Sequence, residues 1–192
     1  MNYQDIWKEG KLVEKGERDC ESRYQVIQNL VKRYKRPFTV LDIGMCDGYF
    51  TIRIAEEFPD SVCVAIEPRG DIVSTIRHLS NAIGIERRIS FEDLKTLSHC
   101  THFDIVLCLS VIHYLDNGNT YKETLEVVKQ LGDHIILELP VEKRTLVSRY
   151  DEMHQLIEEL GAPLTNIVSH VEENSVRPLY VLKGNPPSLR LT

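Results

Sequence analysis

No stretch of the 192-residue sequence stays apolar for the ~20 residues that a membrane-crossing helix needs, and the opening MNYQDIWKEGK holds no apolar core of a secretory signal. The expectation is a chain with no transmembrane segment and no leader. Cysteine is sparse: five residues, at positions 20, 46, 63, 100 and 108, an odd number with no Cys-x-x-Cys among them. That speaks for reduced thiols in a cytoplasmic setting rather than for a disulfide framework. His99-Cys100-Thr101-His102 is too crowded for a ligand set and lacks outside partners, so no metal site is expected. Basic excess is missing too: 23 Lys and Arg face 29 Asp and Glu, a formal charge of −6. This argues against nucleic acid as a partner, because sequence-independent binding needs a basic field to displace counterions. There are no internal repeats, no low-complexity tracts and no Pro/Gly-rich interior linker; only the tail from Gly184 to Ser188 is of that kind.

What is present is one domain's worth of ordinary globular sequence, 42% hydrophobic and 27% charged. The expected division is an N-terminal segment and helix over 1–36, a core over 37–184 and a tail over 185–192. Residues 20–35 carry one apolar stripe (Tyr24, Ile27, Leu30, Val31, Tyr34) behind an Asp19 N-cap, and Pro37 ends that helix. Short apolar runs at 38–44, 61–68, 103–111 and 134–140 read as strands buried on both faces, with a weaker strand at 88–91. Helical patterns lie between and after them, at 51–58, 71–83, 92–98, 120–131 and 149–160. Two further strands are expected at 165–171 and 178–183. Five alternations of strand and helix mean right-handed crossovers and a parallel sheet with helices on both faces, an α/β doubly wound, Rossmann-like fold. The closing pair is separated by about six residues, too few for a parallel crossover, so the last strand runs antiparallel. Ligands of such sheets sit at the carboxyl ends of the strands.

The segment V-L-D-I-G-M-C-D-G-Y-F (40–50) falls at that end of the first core strand. Gly44 permits a sharp turn, and Gly48 lets the following helix pack closely. A dinucleotide site would show G-x-G-x-x-G there. This loop instead opens with Asp42, which repels phosphate and suits a cation such as an ammonium or sulfonium group. Nineteen residues after Gly48 stands Glu67, at the end of the second strand, where a carboxylate can accept both hydroxyls of a ribose. Ammonium plus ribose describes an amino-acid nucleoside. The bland alternative is that Asp42 and Glu67 are only polar strand ends.

V-L-D-I-G-M-C-D-G, the following I-E-P and F-D-I-V-L-C-L-S together resemble the class I S-adenosylmethionine-dependent methyltransferases. The resemblance implies a seven-stranded, mostly parallel sheet with an antiparallel last strand, and S-adenosyl-L-methionine as cofactor. Cys46 stands where that family often has a glycine. Y-Q-D-I-W-K-E-G, R-D-C-E-S-R (18–23), L-S-V-I-H-Y (109–114) and V-R-P-L-Y-V-L (176–182) are similar to the methyltransferase part of bacterial O-antigen chain-terminator enzymes, which join it to a kinase. Carried over by position, the resemblance places Tyr3, Gln4 and Arg23 at the methionine end of the cofactor, with the N-terminal segment as a lid. Gly44 lines the loop, Glu67 takes the ribose, Ser90, Phe91 and Glu92 flank the adenine, and Leu109 lies under it. An arginine fork matches a carboxylate, and Phe91 with Leu109 can sandwich an apolar ring. Each has a plainer alternative: a solvated arginine, core packing, the start of a helix.

The acceptor wall is expected after the fourth core strand, from Ser110, His113 and Tyr114. His113 is the candidate general base, or else a histidine holding the loop. Arg177 can bind a phosphate, or else forms a surface ion pair. No N/D-P-P-Y/F and no Pro-Cys follows that strand, which sets aside methylation of base or glutamine amino groups and covalent attack on a pyrimidine. The resulting expectation is an O-methyltransferase acting on a saccharide or phosphorylated saccharide in polysaccharide biosynthesis, with a separate sugar kinase or glycosyltransferase as a candidate partner. The alternatives are a small-metabolite or RNA-end methyltransferase, or an inactive cofactor-binding subunit.

Overall fold

The computed structural model describes residues 2–115, 118–140, 149–170 and 175–185. The expected tail 185–192 lies outside them but for Asn185. The chain opens with a small antiparallel hairpin, β1 (Ile6–Lys8) and β2 (Lys11–Glu14). Its two-residue turn puts Glu9 at φ 50° and Gly10 at φ 75°, the left-handed pair that matches strand twist in tight hairpins. Helix α1 (Cys20–Val31) follows, with the Asp19 side chain accepting from Ser22 N–H as its cap. Then come β3 (Thr39–Ile43), α2 (Tyr49–Glu57), β4 (Val62–Glu67), a short α3 (Gly70–Ser74), β5 (Ala82–Glu86), α4 (Phe91–Cys100) and β6 (Phe103–Leu109). A single 3-10 turn (Ile112–Tyr114) leads to α5 (Tyr121–Gln130), β7 (Gly132–Glu138), α6 (Tyr150–Leu160), β8 (Thr165–His170) and β9 (Ser175–Lys183).

The seven strands from β3 onward form one sheet in the order β5-β4-β3-β6-β7-β9-β8. β3 to β7 pair in parallel, and β9 enters antiparallel to both β7 and β8. The uninterrupted apolar runs have a direct cause. Along β6, Ile105 and Leu107 face α1 and α2 with Tyr24, Ile27 and Phe50, while Val106 and Cys108 face α4, α5 and α6 with Leu94, Leu125 and Met153. A strand covered on both sides has no polar side to alternate with. Order reverses between β3 and β6, and the carboxyl ends of β3, β4, β6 and β7 open there on one cleft.

One region differs from expectation. The helix foreseen over 71–83 ends at Ser74, and the edge strand is Ala82–Glu86 rather than 88–91. Asn81 accounts for this. Its side-chain amide donates to the carbonyls of Ala55, Phe58 and Ser61, while its own carbonyl accepts from Cys63 N–H. The chain is pinned there and must run extended beside β4. Gly84 fits because a Cβ would come within 2.7 Å of Val73 Cγ1. Ile83 and Ile85 are exposed, as befits an edge. Residues 87–90 become a loop, and Ser90 caps α4 in a reciprocal capping box with Asp93.

Candidate active site

The cleft at the carboxyl ends of the strands encloses about 530 Å³, within the range of small-molecule sites. Its floor is the loop after β3. Gly44 (φ 73°) is left-handed, and a Cβ there would meet Val111 Cγ2 at 2.9 Å, so the loop needs a bare backbone at this point. Cys46 is left-handed as well, at φ 54°, a backbone that glycine adopts without strain and other residues rarely do. Gly48 (φ 86°) starts α2 but faces Ile52 rather than the cleft.

Glu67, at the tip of β4, is buried and lines the cleft. One carboxylate oxygen accepts from Cys46 N–H at 3.1 Å and the other from Arg69 Nε at 2.7 Å. A carboxylate has about four lone-pair positions, so acceptor capacity remains for further donors. Asp42 lies behind the loop instead. Its carboxyl accepts from Thr51 Oγ1 at 2.7 Å and does not line the cleft. Burial pushes that carboxyl up to about 7, with the nearby Glu67 charge adding and the Thr51 hydrogen bond opposing.

The N-terminal segment forms one wall. Tyr3 and Gln4 both line the cleft. Gln4 N–H donates to Asp47 at 2.8 Å, and its side-chain oxygen accepts from Tyr49 N–H at 3.2 Å, a donor of the first turn of α2. The hairpin is tied to α2 through Glu56, which accepts from Trp7 Nε1, Glu9 N–H and Gly10 N–H at 2.8–3.0 Å.

The opposite wall carries Leu109, Ser110, His113, Tyr114 and Arg177. Ser110 is left-handed, at φ 57°. The His113 and Tyr114 rings lie 4.0 Å apart and tilted, with Tyr114 exposed. Of the residues expected at the adenine, Leu109 lines the cleft while Ser90, Phe91 and Glu92 do not; the preceding Ile89, not singled out from the sequence, lines it instead. Ser90 is engaged as the α4 cap, and Phe91 packs in the core. Ile66, Ile89 and Leu109 supply the apolar lining around Glu67. At the outer edge stand Arg69, Arg87 and Arg88.

Arg23 is also placed outside the lining. It is buried and turned to Glu138, at the tip of β7, with Nε donating to one oxygen and Nη2 to the other at 3.2 Å. Arg18 Nη2 reaches the same carboxylate at 2.6 Å, Ser110 Oγ donates to it at 2.5 Å, and Arg177 Nη1 stands 2.7 Å from Ser110 Oγ. Burial works to raise the Glu138 carboxyl, but the charges and hydrogen bonds of Arg23 and Arg18 overcome it and hold it down at about 2. Neither Arg18 nor Glu138 was singled out from the sequence. The available signal was a carboxylate closing an otherwise apolar buried strand, HIILELP, at the ligand end of the sheet.

A family model for a methyltransferase domain matches residues 40–132. The O-antigen chain terminator bifunctional methyltransferase/kinase WbdD of Escherichia coli is 28% identical over 171 residues, covering 82% of this chain. The chain spans only 24% of the length of that relative. Among solved structures, the N-terminal domain of EvdMO1, obtained in the presence of SAH and D-fucose, superposes with a TM-score of 0.59 at 15% identity, covering 96% of this chain and 91% of the other. The CurJ carbon methyltransferase gives 0.60 at 14% identity, covering 84% and 54%. Over residues 40–132 the chain is similar to a methyltransferase domain, and its sheet has the fold of solved methyltransferases, enzymes whose cofactor is S-adenosylmethionine. The cleft fits that cofactor. Gly44 leaves a bare-backbone cradle, Glu67 offers acceptors suited to ribose hydroxyls, and Ile66, Ile89 and Leu109 give an apolar berth for a flat ring.

Proposed function

We propose that this methyltransferase acts on an oxygen of a phosphorylated saccharide. The observation that carries the reading is Arg177, a buried guanidinium that nevertheless lines the cleft beside Ser110 and His113. A guanidinium fork held this way suits a phosphate or carboxylate on the acceptor. Tyr114, exposed at the rim and packed on His113, offers a face to a sugar ring. Similarity to the chain-terminator methyltransferase/kinase WbdD supports the same class, as does a structural neighbour obtained with D-fucose.

In this reading Glu67 holds the cofactor ribose, the Gly44 loop and Gln4 pack along its amino-acid part, and Leu109 with Ile89 encloses its adenine. Ser90, Phe91 and Glu92 support that end from behind. When bound, S-adenosylmethionine supplies an electrophilic methyl group on a sulfonium. The protein's share is alignment and charge management: Arg177 positions the acceptor beside Ser110 and His113. A phosphate oxygen is already anionic near neutrality, so His113 need only orient it. A sugar kinase acting beforehand would supply such an acceptor, in the cytoplasm. The test is radiolabelled methyl transfer to a panel of phosphosugars, glycans and RNA. Label should enter phosphorylated saccharides; robust labelling of an unphosphorylated glycan, with none of its phosphorylated form, would overturn the proposal.

A further inference from the structure

Glu138 does not line the cleft, yet both of its walls converge on it. On one side, Arg18 Nη2 donates to Glu138 at 2.6 Å, and Arg18 Nη1 donates at 2.5 Å to the hydroxyl of Tyr3, with the guanidinium stacked 4.8 Å from that ring. Tyr3 lines the cleft. On the other side, Ser110 is bound to Glu138 twice: its N–H donates to the Glu138 carbonyl at 3.0 Å, and its hydroxyl to the carboxylate at 2.5 Å. Ser110 occupies a left-handed backbone at φ 57°, a conformation that a non-glycine residue keeps only where its surroundings over-determine it. The two Glu138 bonds do so. Arg177 Nη1 then reaches Ser110 Oγ at 2.7 Å and Glu138 at 3.5 Å. Register explains the convergence, because Glu138 is paired with Leu109 on β6 and with Leu179 on β9. It therefore sits between the strands that carry Ser110 and Arg177.

We propose that Glu138 is a positioning residue for methyl transfer. Its carboxylate sets Ser110 and Arg177 on the acceptor wall and, through Arg18, sets Tyr3 on the N-terminal wall, so the two walls move as one. The inference rests on the methyltransferase reading of the cleft, but its central claim is an energetic coupling between Tyr3 and Ser110, which are linked through Arg18 and this carboxylate. Residues coupled through a shared partner are non-additive, whereas independent ones add.

The experiment is a double-mutant cycle in the full chain with Tyr3→Phe and Ser110→Ala, each of which removes one hydroxyl and little volume. Two readouts are taken: affinity for S-adenosylhomocysteine by calorimetry, and the unfolding midpoint of the ligand-free protein. Each single variant should weaken affinity about three- to tenfold, and the double variant should fall several-fold short of their product. The same shortfall should appear in the midpoints. Glu138→Gln, which keeps shape and removes charge, should reproduce the loss and render Tyr3→Phe silent. Strictly multiplicative losses with additive midpoints would overturn the proposal. So would a folded Glu138→Gln with parental affinity. If Glu138→Gln does not fold, the cycle alone decides. If the parent chain binds no S-adenosylhomocysteine, the cofactor reading falls, and the coupling is judged on the midpoints.

Discussion

Gly44 and Gly10 share a left-handed backbone, at φ 73° and 75°, but not a neighbourhood. A Cβ on Gly44 meets Val111 at 2.9 Å, while one on Gly10 meets nothing within 4 Å. Gly10→Ala should therefore cost only about 1–2 kcal/mol of backbone strain and leave S-adenosylhomocysteine affinity unchanged. Gly44→Ala should add displacement of the cleft wall and lower that affinity at least tenfold in calorimetry. Glu67→Ala removes a carboxylate from the lining and should weaken binding by about 1–3 kcal/mol; parental affinity would make Glu67 merely a strand end. Asp42 gives a pH signature. Its carboxyl is raised from the ordinary carboxylate range to about 7 by burial, so the folded state binds a proton there that the unfolded state releases above about pH 4. Stability from this group is complete below about pH 4 and is lost as pH rises through about 7. Asp42→Asn should flatten that decline in denaturation curves taken between pH 5 and 8. If the variant also abolishes cofactor binding while folded, Asp42 does more than hold Thr51.

At the scale of elements, the N-terminal segment is wall as much as lid. Gln4 and Asp5 are buried, and Asp5 accepts from Gly16 N–H at 2.8 Å and Lys15 Nζ at 2.9 Å. A chain starting at Lys15 should still fold around the seven-stranded sheet, but melt several degrees lower and lose S-adenosylhomocysteine affinity at least tenfold. Trp7 is the sole tryptophan and lies in β1, edge-on to Tyr49 with the Arg53 guanidinium 4.3 Å from its ring, so its emission reports docking of this segment on α2. Saturating ligand should shift that emission; a silent Trp7 with intact binding would separate the hairpin from the site. How far such elements are legible in sequence follows from what fixes them. β3, β4, β6 and β7 were legible because two-sided burial writes itself as an apolar run, and α1 and α5 because one-sided burial writes a stripe. β5 was not: its isoleucines are exposed, and its course is set by Asn81 reaching across to Ala55, Phe58 and Ser61. The hairpin was missed for a similar reason, since β2 is exposed along its length. In the site, the Gly44 loop and Glu67 were legible from local spacing. Glu138 was not, because its partners lie 28 to 120 residues away along the chain.

For the molecule as a whole, charge is distributed against its total. The chain carries −6, yet the cleft is lined by Arg69, Arg87, Arg88 and Arg177 against Glu67 alone among carboxylates of the described residues. Arg69 is already bound to Glu67, and Arg87 to Asp93 at 2.6 Å. An anionic acceptor is thus repelled by the surface at large and attracted at the mouth, over distances comparable to the ~8–10 Å screening length of ordinary buffers. If the acceptor is a phosphate monoester, raising salt from about 50 to 300 mM should increase its KM several-fold with kcat nearly constant. Arg177→Ala should act chiefly on KM, and His113→Ala should cost little, because the attacking oxygen carries its charge beforehand. If instead a sugar hydroxyl is methylated, a neutral His113 must take a proton as the methyl arrives. Then His113→Ala should cost about 10²–10⁴ in rate, the rate should rise through a histidine titration that vanishes in the variant, and salt should matter little. Measuring kcat and KM for the parent, His113→Ala and Arg177→Ala across pH 5.5–8.5 at two salt concentrations distinguishes the two, and the Arg177 guanidinium beside Ser110 on the cleft wall favours the phosphate outcome.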